Sequence, residues 1–380
     1  MSRLTELSAM PRAVSARYRS LGSALLLVEE SARRAWTTPA AFARGAAPSW
    51  TGPTAADGLD GWPGPAVHVV ELSRGATVMS PEIAREALDF AFCAPTRPLT
   101  VELCGAGAER AWPILRFAVG YAERRAEWGK RPVRLVVRAG SPFSPESADW
   151  LRRRKAALRL ELPASGAPPR RPPAADRVLA RIGRSSRDPQ GWAKAWKASG
   201  ASSAALEPAA GCPEKSFIAF HARALDALLR AGGPREELTS ALLSGRRWAL
   251  PGLDVVSELF YAVDGAVFTS EAAAREPRAA ALELGALGGL RYQDLAGQEL
   301  VRACLAAALP QAQPMCLQCV YVARCAVAPS ASLADQGTIY GRQATSARCR
   351  LNMAVLDGIY EILRAGGKKA KLLDKWADAA

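Results

Sequence analysis

The sequence is poor in histidine, and its N-terminal region has no apolar run long enough to cross a membrane. The two histidines, His68 and His221, lie far apart, and neither is accompanied by the acid and nucleophile of a catalytic triad. The apolar run Ala24–Val28 is much shorter than a membrane span or a signal-peptide core, and two glutamates follow it. We therefore expect a cytoplasmic protein in a reducing compartment, with no membrane partner and no triad chemistry.

Composition places the chain among folded globular proteins. Its 380 residues are enough for two or more domains, and 49% of them are hydrophobic. The net charge is +14, from 50 basic and 36 acidic residues, which by itself fits a nucleic-acid partner. The basic residues, however, are scattered and rarely interleave with aromatic residues. We therefore do not expect specific nucleic-acid binding, although a zinc-containing basic binding protein stays as an alternative.

Four of the eight cysteines fall in the segment 314–352, at a spacing that is typical of metal ligands. Cys316, Cys319 and Cys325 form a C-x2-C-x5-C motif, and Cys349 follows further along the chain. A short C-x2-C turn lets two thiolates point at one ion, and two more thiolates complete a four-sulfur site. Soft thiolates select zinc or an iron–sulfur cluster, and the spacing alone does not separate the two. The alternatives are buried free thiols and disulfides, and no secretory signal favours the disulfides.

The other four cysteines do not form a motif. Cys93, Cys104, Cys212 and Cys304 are scattered, and we expect each of them to be a small buried residue. Glu102 lies within a predicted strand, where it either faces the interior of the fold or forms a structural ion pair.

From Pro65 onward the pattern alternates between strands and helices. The strands are predicted at 66–72, 98–104, 132–137, 158–162 and 203–206, and a Pro-rich loop at 163–173. Helices are predicted at 80–93, 144–154, 176–182, 192–198 and 213–230. A further helix is predicted to follow the turn at 105–107 and to end near residue 128. Such alternation indicates βαβ units and a parallel sheet, whose carboxyl-terminal edge carries the chemistry. Further on, Asp264-Gly265 predicts a tight hairpin turn, and helices follow at 298–308 and 351–364.

Several segments resemble radical S-adenosylmethionine (SAM) proteins that carry a C-terminal SPASM-type extension, in particular the maturases of His-Xaa-Ser repeat peptide systems. Met79–Phe92 resembles the first barrel helix, Leu99–Trp112 the second strand and its turn, Leu259–Glu271 the SPASM hairpin, and Pro314–Asn352 the closing cysteine segment. The resemblance implies an α/β fold, a partial (β/α) barrel followed by a SPASM-like domain. The implied divisions are an N-terminal segment at 1–62, the barrel at 63–245, the SPASM-like domain at 246–365 and a basic C-terminal tail at 366–380.

The chain departs from this family at both parts of the SAM site. The family's C-x3-C-x2-C motif ligates a [4Fe–4S] cluster just after the first strand, but here Glu71–Ser80 contains no cysteine. Serine, arginine and threonine side chains supply no soft anionic donor that would replace three thiolates. The family's Gly-Gly-Glu-Pro turn corresponds to residues 105–108, Gly-Ala-Gly-Ala, which lack the glutamate. We therefore do not expect SAM to bind.

The resemblance implies two auxiliary clusters, of which this chain keeps the ligands of one. At the ligand positions of the first cluster the chain has Gly252 or Leu253, then Ser270 and Ala328, so that cluster is not expected. The ligand positions of the second auxiliary cluster correspond to Cys316, Cys319, Cys325 and Cys349, and the resemblance therefore favours a [4Fe–4S] cluster over zinc at this site.

The expected function is a non-catalytic partner or scaffold in peptide maturation. Such a protein would bind a peptide substrate or an active radical SAM maturase, as part of a hetero-oligomer. The alternatives are an iron–sulfur electron-relay subunit or an enzyme of a peptide-modifying complex, and the zinc-containing binding protein named above.

Overall fold

The structure is a computed structural model that describes residues 64–95, 98–105, 109–140, 143–163, 175–209, 212–244, 252–276, 279–308, 316, 319–322 and 324–378. The predicted N-terminal segment at 1–62 and most of the Pro-rich loop at 163–173 lie outside these residues.

Ten strands of the described chain form one sheet that curves into a partial barrel. Its strands are β1 (Val67–Glu71), β4 (Leu99–Cys104), β5 (Val133–Ala139), β6 (Ala157–Pro163), β7 (Arg177–Ile182), β8 (Ser203–Pro208), β9 (Arg235–Glu236), β10 (Glu258–Tyr261), β11 (Ala266–Phe268) and β12 (Glu283–Ala286). Their order is β12-β11-β10-β1-β4-β5-β6-β7-β8-β9, and only β11 and β12 run antiparallel to their neighbours. The predicted α/β partial barrel is therefore confirmed.

Helices cover the outer face of this sheet. They are α1 (Pro81–Phe92), α2 (Trp112–Trp128), α3 (Pro145–Arg153), α4 (Pro189–Ala198), α5 (Glu214–Ala231), α6 (Glu237–Ser244), α7 (Glu271–Arg275), α8 (Glu299–Ala307), α9 (Pro329–Gln336), α10 (Ala347–Ala365) and α11 (Gly367–Asp378). Within the ranges that the structure describes, none of the helices combines the length and the apolar character of a membrane span.

The local start signals explain why the first helices begin where they do. Ser80 Oγ accepts a hydrogen bond from the Ile83 amide at 3.2 Å, and Pro81 occupies the first turn, where its missing N–H costs nothing. Ser144 caps α3 in the same way. Behind these caps, Leu88 of α1 and Leu115 of α2 are fully buried in the core that forms between helices and sheet.

The helix predicted at 176–182 is wrong, because this segment is strand β7. Val178 pairs with Leu160 of β6 and with Ala204 of β8, so β7 lies inside the sheet with a neighbour on each side. Val178, Leu179 and Ala180 are all buried. A short continuous apolar run in the sequence is consistent with a buried helix and with a strand that is buried on both faces. In the structure, pairing with a neighbouring strand on each edge shows that this segment is a strand.

The residues predicted as a basic tail, 366–380, include helix α11. Leu373 and Trp376 are buried, and Ser240 Oγ donates a hydrogen bond to the Trp376 carbonyl at 2.6 Å. Lys368 and Lys371 remain exposed on the opposite side. An amphipathic pattern within a lysine-rich segment thus anchors this end of the chain.

Candidate functional site

The cysteine segment forms a turn, a helix and a second helix start that together bring four thiols to one place. The Cys319 amide donates to the Cys316 carbonyl at 3.0 Å, which closes the C-x2-C turn. Helix α9 follows Cys325, and α10 begins after Ser346, whose Oγ accepts from the Cys349 amide at 3.1 Å. Cys349 therefore lies in the first turn of α10.

The four predicted metal ligands line one cavity of about 210 Å³. None of them is in a disulfide, and all four are half-buried. The remaining wall is mostly apolar and includes Tyr321, Val327, Met353 and Leu356. An apolar pocket with soft donors converging on it matches what a thiolate-bound metal centre requires.

The electrostatics of the cavity show that the thiols interact. Burial raises the pKa of the Cys316 thiol to about 11, and the other three cysteines raise it further. Burial also raises the pKa of Cys325 and of Cys349. A bound cation reverses this effect, since a coordinating thiol is deprotonated outright.

Two neighbouring side chains support a negative charge at Cys325. The Asn352 amide nitrogen donates to the Cys325 sulfur at 3.3 Å, and this contact and the Arg348 charge both lower the pKa of Cys325, against the effect of burial. Hydrogen bonds and positive charge next to a ligating sulfur stabilise the thiolate and tune a bound metal.

The shared cavity does not by itself amount to a metal site. Among the described residues, no group of three or more His, Cys, Asp or Glu side chains is arranged to hold a metal ion.

The scattered cysteines have mixed surroundings. Cys104 and Cys304 are buried, as predicted, and burial raises the pKa of Cys104 to about 12. Cys212 is half-buried. The prediction is wrong for Cys93, which is exposed at the end of α1.

A short hairpin follows β1 at the carboxyl-terminal edge of the barrel. Strands β2 (Ser73–Arg74) and β3 (Thr77–Val78) pair with each other, and the Met79 amide returns to the Leu72 carbonyl at 2.9 Å. Arg74 Nε donates to both carboxylate oxygens of Glu71, at 3.0 and 2.9 Å. The loop after the first strand is therefore closed on itself by backbone pairing and by an ion pair.

The hairpin also packs tightly against the next turn. Ser73 Oγ donates to the Gly105 carbonyl at 2.7 Å. Gly105 has φ +74°, and a Cβ there would lie 2.3 Å from the Ser73 carbonyl oxygen, so only glycine fits. Residues 106–108, the rest of the Gly-Ala-Gly-Ala turn, lie outside the described residues.

The concave face of the barrel carries a network of buried charges that the sequence pattern did not reveal. Arg138 of β5 forms ion pairs with Glu102 and Glu161 at 3.1 Å and with Glu271 at 2.5 Å. Arg159 of β6 also pairs with Glu102, at 3.2 Å. Glu102 therefore faces the interior and forms an ion pair there, as both sequence interpretations allowed. Charged residues two or four positions apart on the strands are the signal for this network in the sequence.

Comparisons with known proteins identify the fold. No protein-family model matches the sequence. No curated protein matches it either. The solved structure described as anSMEcpe with bound AdoMet matches with a TM-score of 0.60 at 9% identity, covering 80% of this chain and 98% of that one.

Two further structures of the same protein contain peptides. Native anSMEcpe with AdoMet and the Kp18Cys peptide matches with a TM-score of 0.60 at 10% identity, covering 79% of this chain and 98% of that one. The complex with the Cp18Cys peptide has the same TM-score and coverage at 9% identity. The chain therefore has a radical-SAM-type fold, and identity this low shows the fold alone.

Proposed function

We propose that this protein is a radical-SAM-like partner in peptide modification that holds one [4Fe–4S] cluster and does not use SAM. The observation that carries the proposal is the convergence of Cys316, Cys319, Cys325 and Cys349 on one cavity. When bound, an iron–sulfur cluster supplies reversible one-electron chemistry and ties its ligands together. The four thiols would hold it, while Asn352 and Arg348 would stabilise the charge at Cys325.

The proposed loss of SAM chemistry is supported by the edge of the barrel after β1. The segment between Glu71 and Ser80 contains no cysteine, and its hairpin is closed by backbone pairing. Arg74 and Arg275 both form ion pairs with Glu71, at 2.8 and 3.3 Å. These ion pairs lie at the carboxyl-terminal edge of the barrel, directly after β1. Serine and threonine in place of thiolates do not bind an iron–sulfur cluster.

A peptide ligand is supported by the fold and its neighbours. The solved structures with the same fold include complexes with peptides, and the barrel of this chain encloses a cavity of about 660 Å³. The proposed role is therefore to bind a peptide, or an active maturase that carries one, within a hetero-oligomer. Four cysteine ligands leave no iron open for substrate, so if the cluster has a chemical role it is electron relay.

A SAM titration tests the non-catalytic role. We expect no heat of binding by calorimetry at micromolar concentrations of SAM, and no cleavage of SAM after reduction with dithionite. The matched reference is an active radical SAM enzyme treated under the same anaerobic conditions. Clear micromolar affinity for SAM would contradict the proposal and restore the enzyme alternative.

A further inference from the structure

The interior of the barrel is lined with charge instead of the branched apolar side chains that usually fill such a core. Seven arginines and six glutamates of the described chain line the cavity of about 660 Å³. A charge taken out of water costs free energy unless it is paired or meets a ligand. The way these charges are paired therefore shows which of them are free to meet a ligand.

Three arginines of the lining pair with neighbouring glutamates. Arg138 is surrounded by three glutamates, and Arg275 pairs with Glu71 and Glu271 at 3.3 and 3.2 Å. Arg159 is held between Glu102 and Glu237. Each of these three arginines therefore has carboxylate partners within the protein.

Two arginines near the starts of their strands are not paired in this way. Arg134 of β5, which is exposed, and Arg177 of β7 both line the cavity, and neither guanidinium group forms an ion pair or a hydrogen bond with another described residue. Arg177 is half-buried, and burial lowers its pKa against the opposing charge of Glu237, while the charge of Arg134 lowers it further. Nearby, burial raises the pKa of Glu258 to about 8, so this carboxyl group adds little negative charge near neutral pH.

The positive charge is spread along the strands. Arg177 and Arg181 both line the cavity, and their four-residue separation on β7 corresponds to about 13 Å. Arg181 is 44% exposed, and its ion pair with Glu161 is long, at 3.8 Å. An extended peptide repeats its side chains on one side at the same spacing, so two acidic residues four positions apart would reach both arginines.

We propose that the barrel cavity binds an extended acidic peptide segment, with Arg134 and Arg177 taking one carboxylate and Arg181 another. This inference rests on the proposed peptide-binding function and names the class of peptide. Guanidinium groups suit it because they bind carboxylates in a bidentate manner and keep their charge at every physiological pH.

A binding experiment with matched peptides tests the inference. A fluorescently labelled peptide with glutamates four positions apart is titrated with the full chain at low salt, next to the same peptide with glutamines. We expect the glutamate peptide to bind roughly tenfold more tightly or better, since hydrogen bonds to charged groups are the strong ones. Equal anisotropy curves for the two peptides would overturn the inference.

Variants locate the site. Arg134→Gln combined with Arg177→Gln should weaken binding of the glutamate peptide about tenfold, and the corresponding lysine variants should keep part of it. The control Arg153→Gln with Arg364→Gln removes the same charge from exposed helical positions and should change little. An equal loss in both glutamine pairs would mean unspecific attraction and would contradict the site. Thermal melts confirm that each variant is folded.

The outcomes separate this inference from the proposed function. Metal content is measured on the same samples, because the arginine variants leave the cysteine cavity untouched. A protein that binds both peptides equally contradicts the acidic preference alone, whereas one that binds neither contradicts the peptide-binding role as well. Complete displacement of the peptide by citrate, at an ionic strength where chloride has no effect, would identify a small-anion site and overturn the peptide assignment.

Discussion

At the scale of single residues, the barrel interior depends on how each carboxyl group is neutralised. Glu258 of β10 accepts a hydrogen bond from the Glu271 amide at 2.9 Å. Burial is the main cause that raises its pKa from 4.5 to about 8, and the nearby charges of Glu271 and Glu102 add to it against Arg138. The folded protein therefore holds a proton at Glu258 that the unfolded chain releases.

This difference predicts how stability depends on pH. The folded pKa is raised above the unfolded value, so the contribution of Glu258 to the unfolding free energy is complete below about pH 4.5 and declines until about pH 8. Glu258→Gln keeps the neutral form at every pH. Over two pH units in this window, the variant should gain up to about 3 kcal/mol relative to the natural chain.

Urea denaturation at pH 5.5 and pH 7.5 measures that gain. The control is Glu283→Gln, an exposed glutamate on β12. If the natural chain and Glu258→Gln show the same change between the two pH values, Glu258 is ionised in the folded protein and the account of this residue is wrong.

At the scale of elements, one buried aspartate ties the hairpin to the C-terminal helices. Asp254 Oδ1 accepts from the hydroxyls of Thr269 and Ser270 at 2.7 and 2.8 Å, and Oδ2 accepts from the amide and hydroxyl of Ser330 at 2.9 and 2.8 Å. Gly252 or Leu253, then Ser270 and Ala328, are the positions at which the family resemblance would place the ligands of the first auxiliary cluster. The hydrogen bonds of Asp254 thus join the segments that carry these positions, where no cluster is expected.

Removing this carboxylate should be costly. Asp254 is completely buried, and Asp254→Ala leaves several buried donors without an acceptor, so we expect a loss of about 3 kcal/mol or more in unfolding free energy. Asp264→Ala is the matched control, since Asp264 is exposed in the turn of the same hairpin and accepts a hydrogen bond from the Ala266 amide. Similar midpoints of urea unfolding for the two variants would show that the hydrogen bonds of Asp254 do not stabilise the contact between the hairpin and the C-terminal helices.

The same elements show what the sequence could predict. Local signals at Ser80 and Ser144 set the helix starts, and Asp264-Gly265 set the hairpin turn, because these effects act within a few residues. Strand β7 was missed because its identity depends on partners that are distant in the chain. The Arg138 network was missed for the same reason, since sheet register decides which charges meet.

At the scale of the whole molecule, the fold joins two unlike sites on one scaffold. One is a half-buried pocket of soft sulfur donors in the C-terminal region, and the other is a charged cavity enclosed by the parallel strands. The four cysteines singled out in the sequence line this pocket, and their role as metal ligands stays a prediction. The cavity chemistry was not predictable in that way, since it is assembled from eight strands.

Metal analysis of anaerobically purified protein decides whether the four cysteines hold a metal centre. Iron, sulfide, zinc and visible absorption are determined on one sample of the natural chain, of Cys316→Ala and of Cys93→Ala, whose exposed thiol lies outside the cavity. The account predicts about four irons and a broad visible absorption band that Cys316→Ala loses and Cys93→Ala keeps. Stoichiometric zinc without iron would contradict the cluster, and the absence of both metals would contradict the metal centre itself.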